Sequence, residues 1–289
     1  FLIIIKVINS IRLHFNLLLM VSLLSKSAIV YSQHQTIVDA VLNTESQTID
    51  IQQTITFINS FETSLTEIYF TDWVSSYSSP TTPLANKFLN EFNTNLYIAK
   101  TKKRGFTKIK RISNSNDESL QYHHLKLQED ILKVELKSPL KPNTSVTLQL
   151  IYTVKIQDDR FTGYGVDKNG NYALESWYLT PAVYDGKAWK LYSNQNLDDL
   201  YSPPINTKIT IDIPKEYSAY SALKTKSIEE INDVKVYQFE GKNIMETKLF
   251  LSQKKIKSYT LDSLTIVTNI SNKKIGNEKE LEYLGKITD

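Results

Sequence analysis

The stretch Val146-Thr-Leu-Gln-Leu-Ile-Tyr-Thr-Val-Lys-Ile156 places Val146, Leu148, Leu150, Tyr152, Val154 and Ile156 at every second position. A period of two puts one face of a strand in an apolar core and the other in water, the habit of antiparallel sheets. The same reading holds for Gln47–Ile58, through Ile49, Ile51, Ile55 and Phe57, and for Ile205–Ile213, through Ile209 and Ile211. Leu125, Leu127, Ile131, Val134 and Leu136 mark a further pair of strands. Val234-Tyr237-Phe239, Leu249-Leu251 and Leu264-Ile266 complete the set. Many such strands with short connections predict a β-sandwich or barrel. One helix is expected to open at Pro83, with Leu84, Phe88, Leu89, Phe92 and Leu96 at helical spacing. Asn169-Gly170, between Tyr164–Val166 and Tyr172–Leu174, is the strongest hairpin signal in the chain.

Composition narrows the function classes. The net charge of the 289 residues is only +3, and Lys6, Arg12 and Lys26 lie in an amino-terminal stretch with no acid before Asp39. The remainder is close to neutral, so neither nucleic acid nor a polybasic membrane contact is expected. The absence of cysteine excludes disulfides, thiolate metal sites and a cysteine nucleophile. Lys6 and Arg12 precede the apolar run Phe15–Leu24, and small and polar residues follow to Gln33. That order predicts a secretory signal peptide over residues 1–33, and hence an exported protein, periplasmic or extracellular. The apolar run is about half of the ~20 residues a membrane span needs, so no stable span is expected. The first residue is Phe, which is not a natural initiation site.

At the other end, Leu281, Leu284 and Ile287 share one helical face of Asn277–Asp289. A lone amphipathic helix after a β domain has little to bury against. The expectation is a β domain over 34–268, with 269–289 the start of a truncated helical domain.

Catalytic sets are scarce. His123 and His124 are adjacent and expected on a strand, so they should point to opposite faces and not chelate one metal. No His-Glu-x-x-His spacing exists. The acid pairs Asp158-Asp159, Asp198-Asp199 and Glu229-Glu230 fall near predicted turns and are read as solvated. Asp167-Lys-Asn-Gly opens like a calcium loop, but no Glu stands at the later ligand position, and a hairpin turn explains it. No catalytic residue and no metal ligand is assigned within the chain.

One segment remains unusual. Tyr172 to Trp189 holds two of the three tryptophans, with Tyr178 and Tyr184 between them, cut by Pro181 and by Asp185-Gly186. A strand must end there in a turn that holds several large rings. Such a corner either packs the core or walls a site.

Leu174-Glu-Ser-Trp-Tyr-Leu-Thr-Pro-Ala-Val-Tyr-Asp-Gly186, followed by Trp189, resembles the aromatic signature of the aminopeptidase N family of zinc metallopeptidases. Thr82-Pro-Leu-Ala85, Leu140-Lys-Pro-Asn143, Pro214 with Tyr217, and Met245–Gln253 with Tyr259 stand in family-like order. The exported bacterial members look closest. The resemblance implies a saddle-like, mainly antiparallel β domain that caps a helical catalytic domain. It implies zinc in the full-length parent, none bound by this fragment, and a peptide substrate met through the missing domain. In the family the corresponding loop reaches over the catalytic site, and an acid or amide there helps bind the substrate's free amino group. Glu175 is the acid just before the Trp-Tyr pair, with Ser176 the neighbouring alternative for the matching position. Trp177 and Tyr178 either pack the turn or line the pocket. Glu175, Trp177 and Tyr178 are therefore the candidate substrate-contacting residues. The function expected is the amino-terminal fragment of a secreted metalloaminopeptidase, inactive alone. The alternative is a non-catalytic exported β-sandwich that binds peptide or glycan through the aromatic corner.

Overall fold

The computed structural model describes residues 33–196 and 201–254, and the backbone of 257–261 and 264–268. The expected signal peptide, the carboxy-terminal helix and the pair Asp198-Asp199 lie outside the described residues.

The chain is mainly β. In order it forms β1 (His34–Asn43), β2 (Thr48–Asn59), β3 (Leu65–Thr71), helix α1 (Pro83–Asn90), β4 (Phe106–Asn114), β5 (Tyr122–Leu125), β6 (Gln128–Leu140) and β7 (Thr144–Lys155). Short strands follow: β8 (Gly165–Val166), β9 (Tyr172–Glu175), β10 (Thr180–Pro181), β11 (Val183–Tyr184) and β12 (Trp189–Lys190). Then come β13 (Ile205–Pro214), β14 (Ser218–Ser221), β15 (Lys224–Ile231), β16 (Val234–Ile244), β17 (Lys248–Ser252), β18 (Lys257–Leu261) and β19 (Leu264–Thr268).

A seven-stranded sheet runs β15-β16-β13-β1-β2-β7-β4. Facing it are two four-stranded sheets, β10-β3-β6-β5 and β14-β17-β9-β8. One apolar core joins the layers. Val38, Ile51, Leu150, Ile211 and Phe239 enter it from the large sheet, and Ile68, Leu132, Leu174 and Leu251 from the smaller ones. The alternation of β7 is the reason: its apolar set Leu148, Leu150, Tyr152 and Val154 is buried, while Gln149 faces water.

Antiparallel pairing dominates, as the alternation predicts, with a departure at the middle of the large sheet. There β1 and β13 run parallel, from His34 opposite Ile205 to Val41 opposite Asp212. A parallel neighbour needs a long crossover, and everything from β2 to β12 lies between them. Local periodicity carries no information about such a partner.

Helix α1 starts as expected, with Pro83 in its first turn and the Thr82 hydroxyl accepting from the Ala85 N–H. It ends sooner than the spacing predicts. Phe92 adopts φ +60° and is almost fully exposed, and Leu96 reaches a small second core from beyond the helix. Leu127, expected within a strand, is the exposed turn residue between β5 and β6 at φ +67°.

Candidate functional site

The aromatic corner has a buried part and a half-buried part that packs against it. Tyr172, Trp177, Tyr178 and Leu179 are buried in the main core. Tyr184 and Trp189 pair across the small β11–β12 ladder, closed by the Asp185-Gly186 turn with Gly186 at φ +90°. Their rings meet Phe57, Phe61 and Tyr69 at centroid distances of 5.2 to 5.8 Å.

The turn itself begins where β9 ends. Glu175 is the last residue of β9 and stands opposite Lys248 of β17. Ser176 then takes a left-handed backbone, φ +44°, although it is not glycine. Such a residue persists only where its surroundings hold it. Here the segment Glu246-Thr247-Lys248 does so. The Ser176 N–H donates to the Thr247 carbonyl at 3.3 Å, and the Tyr178 hydroxyl meets the Thr247 Oγ1 at 2.7 Å.

From below, Gln53 of β2 completes the clamp. Its Nε2 donates to the Leu179 carbonyl at 2.8 Å and to Thr36 Oγ1 at 2.9 Å. The Tyr152 hydroxyl donates to Gln53 Oε1 at 2.6 Å and accepts from the Leu179 N–H at 3.1 Å. The corner is thus bolted to the large sheet through buried polar groups.

The charges at the corner are unbalanced. Lys248 Nζ lies 3.1 Å from Glu175 Oε1 and 3.2 Å from Glu246 Oε1. It also sits over the Tyr164 ring, 5.5 Å from the centroid. One ammonium thus serves two carboxyls, and the Glu175 and Glu246 carboxyls stand close enough to share a proton. The Ser176 hydroxyl and the Trp177 indole N–H are buried and unbonded. Burial first, and then the Glu246 carboxyl, raise the Glu175 carboxyl to about 7, against the pull of Lys248. Lys248 and Tyr164 also line an open hollow of about 370 Å3.

The structure therefore separates the three sequence candidates. Glu175 is at the edge of the corner with its side chain partly accessible, whereas Trp177 and Tyr178 are interior. Glu246 and Lys248 are the members that sequence reading misses. They lie some seventy residues downstream in a segment whose local pattern is only that of a strand start, and the β9–β17 register brings them in. Ser176 is inside the turn with its hydroxyl buried.

Other readings resolve simply. His123 and His124 do face opposite ways: His123 is exposed, while His124 Nε2 lies 2.8 Å from Asp72 Oδ2. Asp158 is not solvated. It is buried and paired to Lys103 at 2.7 Å and Arg160 at 2.6 Å, because the chain after β7 turns inward there. Glu229 and Glu230 are exposed, at the end of β15 just before the turn at Asn232-Asp233, as expected. Asp167 closes a hairpin, accepting from the N–H groups of Asn169 at 2.7 Å and Asn171 at 2.9 Å. Gly170 supplies the positive φ, +78°, at the third loop position.

No protein-family model and no curated protein matches the chain. Among solved structures it is similar to an M1 zinc metallopeptidase from Deinococcus radiodurans, at 13% identity and a TM-score of 0.46 over 81% of this chain and 45% of that one. A two-domain M1 zinc metallopeptidase mutant bound to L-tryptophan gives 12% identity and a TM-score of 0.47, over 82% and 47% of the two chains. A mutant of the Deinococcus protein bound to a Tyr-Ser-Ala substrate gives 12% and 0.46, over 81% and 45%. This chain thus spans less than half the length of these structures.

The raised Glu175 carboxyl makes a testable statement about stability. Its folded value of about 7 lies above the unfolded one, so its contribution is full below the unfolded value and is lost as pH rises through 7. Above that pH the corner holds two carboxylates and one ammonium. Glu175→Gln leaves one of each at any neutral pH. The variant is expected to lose little stability at pH 5 and to shrink the fall between pH 5 and pH 8 by about 1–3 kcal/mol, since the proton is shared with Glu246. Thermal melts at the two pH values read this directly, and an unchanged difference would refute the assignment.

Proposed function

We propose that this chain is the amino-terminal β domain of a secreted, zinc-dependent aminopeptidase of the aminopeptidase N family. In this reading Glu175, backed by Glu246, receives the free amino group of the peptide. The observation that carries it is the carboxyl pair Glu175 and Glu246, served by the single ammonium of Lys248, beside the left-handed Ser176. When Glu175 ionises, Lys248 compensates only one of the two charges. A substrate ammonium supplies the second, in a partly desolvated place where an unpaired charge is costly. Because Glu175 titrates near 7, an arriving ammonium favours the carboxylate, and amine binding releases a proton.

Among the described residues no group of three or more His, Cys, Asp or Glu could hold a metal ion. The residues present do not fit zinc, and no step through it is derived for them. In the proposal zinc and the general base belong to the parent enzyme, and this part contributes the amino-group acceptor and the wall of the cleft. Trp177 and Tyr178 serve it from inside, by fixing the turn. Export rests on the amino-terminal sequence pattern alone. No helix among the described residues is long and apolar enough to cross a membrane.

The test is the longest natural gene product containing this sequence, prepared with zinc and assayed on leucine p-nitroanilide. Chelator-sensitive release of p-nitroaniline is expected. Glu175→Gln should raise KM about tenfold, a loss of ~1.4 kcal/mol of amine binding, with a smaller change in kcat. Absence of activity in the zinc-loaded product would sink the family assignment. An unchanged KM would sink only the role of Glu175.

A further inference from the structure

The segment from Phe92 to Asn116 leaves helix α1, runs into β4 and contains no acid. Its middle reads Lys100-Thr-Lys-Lys-Arg-Gly-Phe-Thr-Lys-Ile-Lys-Arg111. The small net charge of the whole chain averages this run away. Read as a total it argues against a polybasic surface, but its distribution does not.

Part of the charge is answered from elsewhere. Lys110 pairs with Asp50 at 3.0 Å and Arg111 with Asp117 at 2.8 Å. Lys103 pairs with Asp158 at 2.7 Å and marks the border of the surface, since Asp159 lies in the same hollow. Glu91, the nearest acid before the segment, is engaged by Lys87 at 2.5 Å. Lys100, Lys102 and Lys108 are exposed and pair with no acid among the described residues.

Apolar side chains stand among these lysines. Phe92 is 96% exposed, Ile98 70% and Tyr97 50%. The buried Arg104 binds the two turns together, its Nη2 donating to the Tyr97 carbonyl at 3.2 Å. The Lys103 N–H donates to the Lys100 carbonyl at 2.9 Å, which folds Lys100 and Lys102 back beside Arg104. Phe106 and Lys108 continue outward along β4, whose exposure alternates there. Phe92 is the sharpest case. It ends α1 at φ +60°, a backbone that Gly or Asn takes more readily, and the Asn93 N–H closes the turn on the Phe88 carbonyl at 2.8 Å. The ring is thus held where the turn prefers a smaller residue, with almost none of its surface covered.

A lone exposed apolar residue needs no explanation, but several set among free lysines do. The combination fits the interface of an anionic bilayer. There, rings and aliphatic side chains enter the boundary between headgroups and acyl chains, and lysines meet the lipid phosphates. A dissolved polyanion would use the lysines and leave Phe92 and Ile98 in water.

We propose that the surface formed by Phe92, Ile98, Lys100, Lys102 and Lys108 docks on an anionic lipid bilayer. The contact is peripheral and requires no membrane-crossing helix. It rests on the described residues alone and stands whatever the parent protein catalyses.

Sedimentation of the 289-residue chain with vesicles tests this. Vesicles of phosphatidylcholine mixed with phosphatidylglycerol should bind it at least about tenfold more tightly than phosphatidylcholine alone, and high salt should shrink the difference. Lys100→Gln, Lys102→Gln and Lys108→Gln together should weaken that binding at least about tenfold, since each lysine near the surface contributes roughly fivefold. Phe92→Asn suits the left-handed backbone, so the domain stays folded. Combined with Ile98→Ser it should weaken binding several-fold. Phe92→Trp should add a blue-shifted emission, relative to the parent chain, with the anionic vesicles only. The amino-terminal basic residues and apolar run are the same in every variant. Binding undiminished by the lysine or the apolar changes would therefore overturn the proposal. So would equal binding to neutral vesicles, or no added blue shift for Phe92→Trp in the bound state. Tighter binding of inorganic polyphosphate than of anionic vesicles, lost with the lysines but indifferent to Phe92→Asn, would also overturn it and mark a polyanion site.

Discussion

Replacing Trp177 by alanine is expected to destabilise the domain by about 3–5 kcal/mol, the range for deleting a fully buried large aromatic. The ring is 1% exposed and packs edge-on against Tyr178, centroids 5.3 Å apart at 90°. It is among the largest of the fully buried side chains. The loss includes the apolar area, the aromatic pair and a cavity that the two sheets cannot close. Because the indole N–H has no hydrogen-bond partner, no compensating loss of a polar contact enters. Trp177→Phe is therefore expected to recover much of the stability, since it keeps a ring and removes an unpaired donor. In a domain of this size the alanine variant should melt about 6–20 °C lower. A change below ~0.5 kcal/mol, as for a surface residue, would show that the ring does not pack the core and would return it to the role of a pocket wall. Chemical denaturation followed by circular dichroism separates these outcomes.

The corner shows how far the sequence carries. That Tyr172–Trp189 would be a turn crowded with rings is legible from Pro181, Asp185-Gly186 and the aromatic density. That the rings would divide into a buried and a half-buried set is not, because it depends on Tyr184 and Trp189 forming their own ladder against the edge of the core. The alternation of β2, β7 and β13 likewise predicts which residues face inward, and the buried sets agree. Partner choice is another matter: the parallel contact of β1 with β13 bridges most of the domain, and alternation looks the same in either direction.

Glu175 stands out in the sequence as an acid in an aromatic run, but its meaning comes from Glu246 and Lys248, which only the β9–β17 register delivers. Asp130 is harder still. In Gln-Glu-Asp it reads as one of several polar residues at the start of a strand, and its burial follows from the Asn194 segment folding over it. Polar residues are read from sequence as surface by default. Those that matter most here are the exceptions, and long-range packing makes them so.

Gln53 is one of those exceptions, and it sets the second large effect. It occupies an inward position of β2, between Ile51 and Ile55, where the alternation asks for an apolar residue. Tyr152, on the neighbouring strand β7 opposite Ile51, meets the same demand with its ring and then spends its hydroxyl on the corner. Burial holds that hydroxyl far above the ordinary tyrosine value, so it stays protonated and remains a donor throughout the folded range. Tyr152→Phe keeps the ring and removes one oxygen. Two buried groups then lose their partner at once: the Leu179 N–H and Gln53 Oε1. At about 1–3 kcal/mol each the expected cost is about 2–6 kcal/mol, large for a single atom. Gln53→Leu added to Tyr152→Phe removes one of the two stranded groups, so the pair should cost less than the sum of the single changes by about 1–2 kcal/mol. Hydrogen exchange should show the Leu179 amide losing protection in Tyr152→Phe. Simple additivity, or an unaltered Leu179 amide, would mean that the corner is held by its rings alone. If the coupling is found, the strain at Ser176 has its counterweight: the turn that presents Glu175 is fixed from one side by Thr247 and from beneath by the polar pair on the large sheet.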